Sequence, residues 1–297
     1  MASSGIWPKP RAELPITVVT ACDGAFRDSA LNLVGSVQHR SGAVDKVLVY
    51  DLGMTVGDRR RFRGIPGVRV RRVSPFCDHW RQCWTWKPWV WADAAASARR
   101  LLYLDAGVEI VGDLAPILSQ LDDCGYFVLN EYFAHPAGHT IRQVTPAAYF
   151  AELSFDRALA NRPVISAGIV GFDVGSRFHE KVVTQSLELS RRGYNLGWSA
   201  GEAERNKGIH RLDPWPLRDC ELFRHDQTIL SLVFHSEFTK PVIQSRQHFP
   251  SGHRSPRPGD VLWQHRRRAR LQWIPKTRYT RLRLFETRVG RTIRHQT

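Results

Sequence analysis

The chain of 297 residues contains no run of 18 or more apolar residues, so it offers no segment that would cross a bilayer as a helix. The opening residues, MASSGIWPKPRAELP, lack the apolar core of a signal peptide. Together these absences predict a cytoplasmic protein. Cysteine is scarce and scattered: Cys22, Cys77, Cys83, Cys124 and Cys220 are odd in number, and no C-x-x-C pair points to zinc or redox work, so reduced and mostly buried thiols are expected. No internal repeat is present. Acidic residues are outnumbered, 28 against 43 Lys and Arg, but the imbalance is local. Residues 266–297 hold eleven Lys or Arg and the single acid Glu286, which accounts for +10 of the formal +15.

That basic segment shows no zinc-finger spacing and no RNA-recognition aromatic motif, and Trp273, Tyr279 and Phe285 are too few for a stacking platform, which argues against nucleic acid. Leu282, Phe285, Val289 and Ile293 recur at steps of three and four, with Arg281, Arg283, Arg288, Arg291 and Arg294 on other faces. The pattern suits an amphipathic helix at an anionic membrane surface, which would place the protein peripherally at the inner face, or equally a helix packed on the domain. The chain thus reads as a leader at 1–14, a main domain at 15–265 and a basic tail at 266–297.

An apolar fraction of 42% suffices for a core without staples. The most informative stretch is residues 87–110, KPWVWADAAASARRLLYLDAGVEI. A helix is predicted over Pro88 to Ala98, with proline in its first turn, where a missing N–H costs nothing. It runs into Leu101, Leu102, Tyr103 and Leu104, an apolar run expected of a strand covered on both faces. The strand ends on Asp105, and Ala106 and Gly107 are small enough to let a ligand approach the backbone. Open α/β sheets bind ligands at this edge, which makes Asp105 the first candidate for chemistry. An Asp capping an ordinary turn is the plain alternative.

Other segments support an α/β class with a mostly parallel sheet. Ile16 to Ala21 reads as a first strand ending at Cys22-Asp23-Gly24, a candidate nucleotide loop, and Asp28 to Gln38 has helical spacing. Lys46 to Tyr50 and Val68 to Val73 read as further strands, the second with Arg69, Arg71 and Arg72 on a solvated or edge face. Alternation of strand and helix is the signature of parallel crossovers. Tyr126 to Asn130 and Val164 to Asp173 are two more strands, residues 131–163 read as loop, and Asp226 to Phe234 is a helix with His225-Asp226-Gln227 at its start.

In this order the pieces resemble the GT-A glycosyltransferase fold, in particular the glycogenin-like and bacterial galactosyltransferase-like family 8 enzymes. The resemblance spans about residues 15–265. It rests on Lys87 before a helix leading into LLYLDAG, on SAGIVGFD at 166–173, and on HDQTIL at 225–230. It implies a nucleotide-diphosphate sugar donor, a UDP-sugar for preference, and a carbohydrate or lipid-linked acceptor. By resemblance Thr20, Ala21 and Asp23 line a nucleoside pocket, and Asp105 faces the ribose, diphosphate or metal. Lys87 touches donor phosphate or sugar, Ser166 and Gly168 belong to the sugar-binding strand, and Asp226 with Gln227 stands by the sugar and the incoming acceptor.

The chain departs from the family pattern at several positions. Gly107 stands where the family has a second aspartate, which removes an oxygen ligand from a hard divalent cation such as Mn2+ or Mg2+ and puts metal dependence in doubt. Glu109 replaces that ligand only if the turn is rearranged. Ser166 stands for an asparagine. Towards the end, His248 with Gly252 and Arg254 is similar to a His-x-x-Gly-x-x-Lys segment with the glycine one place late, and His265 with Arg266 competes for the same role. Two other functions remain open. A nucleotidyltransferase would carry a Gly-rich basic loop after the first strand, which Ala21-Cys22-Asp23-Gly24-Ala25-Phe26 is not. A degraded, non-catalytic nucleotide- or glycan-binding module would tolerate Gly107 and use some of the ten tryptophans to stack on sugars, although core packing is the commoner use of tryptophan.

Overall fold

A computed structural model describes residues 14–131, 139–199, 216–217, 220, 222–252 and 255–265. Arg254 and the basic tail at 266–297, with the membrane reading attached to it, lie outside the described residues, as does nearly all of the leader. Among the described residues no helix is long and apolar enough to cross a membrane.

The elements run β1 (Ile16–Cys22), α1 (Arg27–Arg40), β2 (Val44–Asp51), α2 (Val56–Arg63), β3 (Val68–Arg72), α3 (Trp86–Ala95), β4 (Arg100–Leu104), β5 (Val108–Ile110), α4 (Ala115–Cys124), β6 (Tyr126–Asn130), α5 (Ile141–Val144), α6 (Ala148–Glu152), β7 (Ile165–Asp173), α7 (Thr184–Arg191), β8 (Trp198–Ser199), β9 (Pro216–Leu217), α8 (Asp226–Glu237) and β10 (Leu262–Gln264). Six strands form one sheet in the order β3-β2-β1-β4-β7-β6. The pairs β3·β2, β2·β1 and β1·β4 are parallel, whereas β7 is antiparallel to both β4 and β6. The α/β class with a mostly parallel sheet is as expected. The reversal of β7 was invisible in its sequence, because an apolar run carries no direction.

Alternation on the strands divides the core. Val19, Leu101, Tyr103, Val170 and Phe172 pack against Val90 and Trp91 of α3 and Ile229 and Leu232 of α8. Val18, Val49, Leu102, Leu104 and Ile169 meet Leu31 and Val34 of α1 and Ile117 and Leu121 of α4, together with Val108, Ile110 and Leu262 of the β5·β10 pair. Each such buried aliphatic side chain contributes about 1.5–3 kcal/mol. The antiparallel β4·β7 pair puts Arg100 opposite Asp173, and the fully buried guanidinium is held at 2.6 Å by Asp173 and at 2.9 Å by Asp122.

Some boundaries differ from expectation. Helix α3 starts at Trp86 and ends at Ala95, because Ala96 and Ser97 turn back on the carbonyls of Asp93 and Ala94. Strand β3 is an edge strand as expected, yet Arg71 is not simply solvated: its Nη1 donates to Asp93 Oδ2 at 2.8 Å, which ties β3 to α3. The stretch read as loop at 131–163 contains α5 and α6, too short for a periodic signal.

The topology sets where the site lies. The C-terminal ends of β1, β2, β4 and β6 share one edge of the sheet, and because β7 runs the other way its beginning lies at that edge too. Asp23, Asp51, Asp105, Glu131 and Ser166 thereby come to one rim.

Candidate active site

Lys87 is the second residue of α3, and its side chain, 4% exposed, reaches two carboxylates. Its ammonium lies 2.7 Å from Asp226 Oδ2 and 3.2 Å from Asp105 Oδ1. Burial draws the lysine down, but the two carboxylates outweigh it and hold its pKa above the ordinary value. Asp226 is the first residue of α8, not the cap before it; His225 occupies that position, and the Asp226 side chain turns to Lys87. Burial pushes the Asp226 carboxyl above the ordinary range, with the Lys87 ammonium opposing and the like charge of Asp105 adding. Asp105 is the open member of the trio, its side chain 35% exposed.

Asp105 is held from several sides. The Tyr103 hydroxyl donates to its Oδ1 at 2.8 Å, and burial first, then the neighbouring carboxylate, raises the phenol well above its ordinary pKa, so it stays a donor. The Asp105 N–H donates to the Gly168 carbonyl at 2.8 Å, continuing the β4·β7 ladder past Leu104. A Cβ at Gly168 would meet Asp105 Oδ2 and Gln264 Nε2, each at 2.6 Å, so the glycine leaves the room these groups fill. Gly107 is tied to β10: its carbonyl accepts from the His265 N–H at 2.9 Å, and a Cβ there would lie 2.7 Å from the His265 carbonyl oxygen.

A second buried cluster adjoins the first. Arg246 donates to Glu131 Oε2 at 3.1 Å, Ser166 Oγ at 2.8 Å, Gln264 Oε1 at 2.8 Å and the Asn130 carbonyl at 3.1 Å. Burial draws its pKa below the ordinary arginine value, with Glu131 opposing. Gln227 donates to Glu131 Oε2 at 3.4 Å and accepts from Arg224 Nε at 3.0 Å. Glu131 Oε1 is buried without a hydrogen-bond partner among the described residues.

The structure therefore brings together Lys87, Asp105, Asp226, Gln227, Ser166, Gly168 and Gly107 from the sequence-predicted set. The other predicted residues are placed differently. Asp23 follows β1 and its Oδ1 accepts from the N–H groups of Ala25 and Phe26, fixing the turn into α1. Thr20 is fully buried, and its Oγ1 has no partner among the described residues; Ala21 packs in the core layer with Tyr50 and Trp86. His265 lies with its Nε2 at 2.8 Å from Glu109 Oε1, and Asn32 of α1 donates to that oxygen, so the two candidate ligands are paired with each other and Glu109 is tied to α1. His248 is exposed in the short turn Arg246–His248. Among the described residues no three His, Cys, Asp or Glu side chains group as metal ligands.

Sequence reasoning missed Tyr103, Glu131, Arg224, Arg246 and Gln264. Tyr103 and Glu131 were findable as polar groups at the ends of predicted strands. Arg246 and Gln264 were not: Arg246 lies in a short turn 80 or more residues along the chain from Ser166, Asn130 and Glu131, and Gln264 joins that cluster through Arg246.

No family model matches the sequence, and no curated protein matches it. Solved structures of similar fold include glycosyltransferases. The fold is similar to apo WbbM, a bifunctional glycosyltransferase, at 13% identity over 75% of this chain and 38% of that one, TM-score 0.46. It is similar to apo GlyE of Streptococcus pneumoniae TIGR4 at 12% identity over 92% and 59%, TM-score 0.48. The galactosyltransferase LgtC, solved with donor and acceptor sugar analogues, is matched at 12% identity over 91% and 94%, TM-score 0.45. The chain thus spans less than two thirds of the length of WbbM and of GlyE.

Proposed function

We propose that this chain is a glycosyltransferase that moves a sugar from a nucleotide-diphosphate sugar, a UDP-sugar for preference, to a hydroxyl of a carbohydrate or lipid-linked acceptor. The observation that carries the reading is the buried Lys87 ammonium shared by Asp105 and Asp226 at the C-terminal edge of β4. Glycosyl transfer breaks the bond between the anomeric carbon and the diphosphate, forms one to the acceptor oxygen, and releases the acceptor proton. Negative charge grows on the diphosphate and positive charge on the sugar ring. A fixed ammonium and a fixed carboxylate beside one another stabilise both at once, without solvent reorganisation.

In this reading Lys87 neutralises the departing diphosphate, and Asp226 lies against the sugar with Gln227 toward the acceptor. Asp105 accepts from ribose or sugar hydroxyls, and Asp23 contributes to the nucleoside end. Ser166 and Gly168 line the sugar side, Ser166 already held by Arg246.

The described residues do not fit a Mn2+ or Mg2+ site of two carboxylates. Position 107 is closed by the His265 carbonyl, and the Oδ1 of Asp105 already receives Tyr103 and Lys87. A hard divalent cation takes six or more oxygens, and one carboxylate is a poor start.

Calorimetry with UDP-, GDP-, CDP- and TDP-sugars, with and without Mn2+, tests the proposal on the parent protein and on Asp105→Ala. One nucleotide sugar should bind and be slowly hydrolysed, with a large loss of affinity in Asp105→Ala; unchanged binding in a folded Asp105→Ala removes the reading. The charge of residues 266–297 supports peripheral attachment to an anionic membrane at about 1 kcal/mol per engaged Lys or Arg. Co-sedimentation with anionic vesicles, with and without the tail and at rising salt, tests that part.

A further inference from the structure

Four described non-glycine residues have left-handed backbone: Cys83 at φ 45°, Trp84 at 58°, Ser154 at 57° and His225 at 50°. Three of them gather at the starts of α3 and α8, the helices that carry Lys87 and Asp226. Such conformations persist only where surroundings impose them. Here the imposing residue is Asn195, itself fully buried. Its Nδ2 donates to the Cys83 carbonyl at 2.8 Å and to Thr85 Oγ1 at 2.6 Å, clamping the chain on either side of Trp84. Its carbonyl lies 3.1 Å from His225 Nδ1, so one residue holds both strained turns.

The clamp presents an indole. Trp84 is 38% exposed, and its ring centroid lies 5.1 Å from that of His225, the residue directly before Asp226. The Trp84 carbonyl accepts from the Lys87 N–H at 3.0 Å, so Trp84 lies one turn ahead of Lys87 along the chain. A large aromatic ring fixed in strained backbone beside a buried charge cluster is a poor use of a core residue and a good use of a stacking surface, since it offers wide contact at little entropic cost.

We infer that Trp84 is the platform on which the acceptor sugar stacks, resting on the reading of the site as a glycosyltransferase centre. The difference in exposure favours acceptor over donor: Lys87 and Asp226, assigned to the donor in that reading, are buried, whereas Trp84 is 38% exposed. The apolar C–H face of a pyranose on the indole brings a ring hydroxyl up to Asp226 and Gln227.

The test uses saturation-transfer NMR on the parent protein with a panel of methyl glucoside, methyl galactoside, methyl N-acetylglucosaminide, lactose and maltose, with nucleotide-sugar binding measured in parallel. Trp84→Asn keeps a residue that tolerates left-handed backbone but removes the ring; Trp84→Phe keeps a ring. The expected result is that at least one glycoside receives saturation from the parent, that Trp84→Asn weakens its binding about tenfold with an unfolding midpoint close to the parent's, and that Trp84→Phe restores most of it. Equal binding by folded Trp84→Asn overturns the inference, as does a parent that binds a nucleotide sugar but no glycoside of the panel. A parent that binds a glycoside through Trp84 and no nucleotide sugar overturns the transferase reading and leaves Trp84 as a sugar platform.

Discussion

A Cβ on Gly107 would stand 2.7 Å from the carbonyl oxygen of His265, a residue whose own N–H donates to the Gly107 carbonyl. The obstacle is backbone, so a side chain at 107 has to push β10 away from β5. Gly107→Asp, the change that would write a second carboxylate after Asp105, is therefore expected to destabilise the fold by about 1–3 kcal/mol, the usual cost of overpacking. It should not create a tight Mn2+ site. Urea midpoints with and without Mn2+ check both halves; a Gly107→Asp protein as stable as the parent and strongly stabilised by Mn2+ would show that the β5·β10 pair yields easily.

Gly168 is the contrasting case, because the atoms its Cβ would meet are the ends of two side chains, Asp105 Oδ2 and Gln264 Nε2. Those ends can swing aside. Gly168→Ala should cost less than about 1.5 kcal/mol in stability while displacing the Asp105 carboxylate, and nucleotide affinity should fall about tenfold or more. Calorimetry beside a thermal melt separates the two effects. Full affinity in a folded Gly168→Ala protein would mean that the placement of Asp105 does not govern binding.

These two glycines show where sequence reading succeeded and stopped. Asp105, Lys87 and Asp226 were legible because each sits at the end of an element with a strong apolar pattern, and ends of parallel strands and starts of helices converge on one edge. Gly107 was legible as a missing ligand but not as a packing requirement, since the strand that demands it begins at Leu262. The pairing of His265 with Glu109 was hidden for the same reason. The cluster of Arg246 with Glu131, Ser166 and Gln264 has no local signal: an arginine in a loop looks solvated until the fold encloses it. Strand order was half legible, because alternation of strands and helices announces parallel crossovers, while the reversed β7 looks like any other buried strand.

The Lys87 pair predicts a pH signature. In Lys87→Met the Asp226 carboxylate would be left buried with no ammonium, and breaking a buried pair on one side costs about 3–5 kcal/mol. Burial already raises the Asp226 pKa, and removal of the ammonium raises it further, so the folded variant binds a proton before the unfolded chain does. Its stability deficit against the parent should thus be largest near neutral pH and shrink as the pH falls toward about 5. Adding Asp226→Asn should recover most of the loss. Urea titrations of the parent, the single and the double variant across that range are the measurement, and a deficit that stays constant with pH would mean that Asp226 is not ionised opposite Lys87.

His235 gives an acid limit to the fold that is independent of the candidate site. It is buried in α8, 3% exposed, with its Nε2 at 2.9 Å from the Pro163 carbonyl. Burial lowers its pKa to about 4, with the Pro163 carbonyl opposing and Arg162 adding to the depression. The unfolded chain, with an ordinary histidine near 6.5, takes up a proton first as the pH falls. Stability is therefore complete above about pH 6.5 and drains away between there and about pH 4, by a total on the order of 3 kcal/mol. His235→Gln keeps a donor for the Pro163 carbonyl and cannot take up a proton. Its urea midpoint at neutral pH should lie below the parent's through imperfect packing, but it should fall less steeply over that window. Parallel slopes for the two proteins would mean that His235 is protonated in the fold despite its burial.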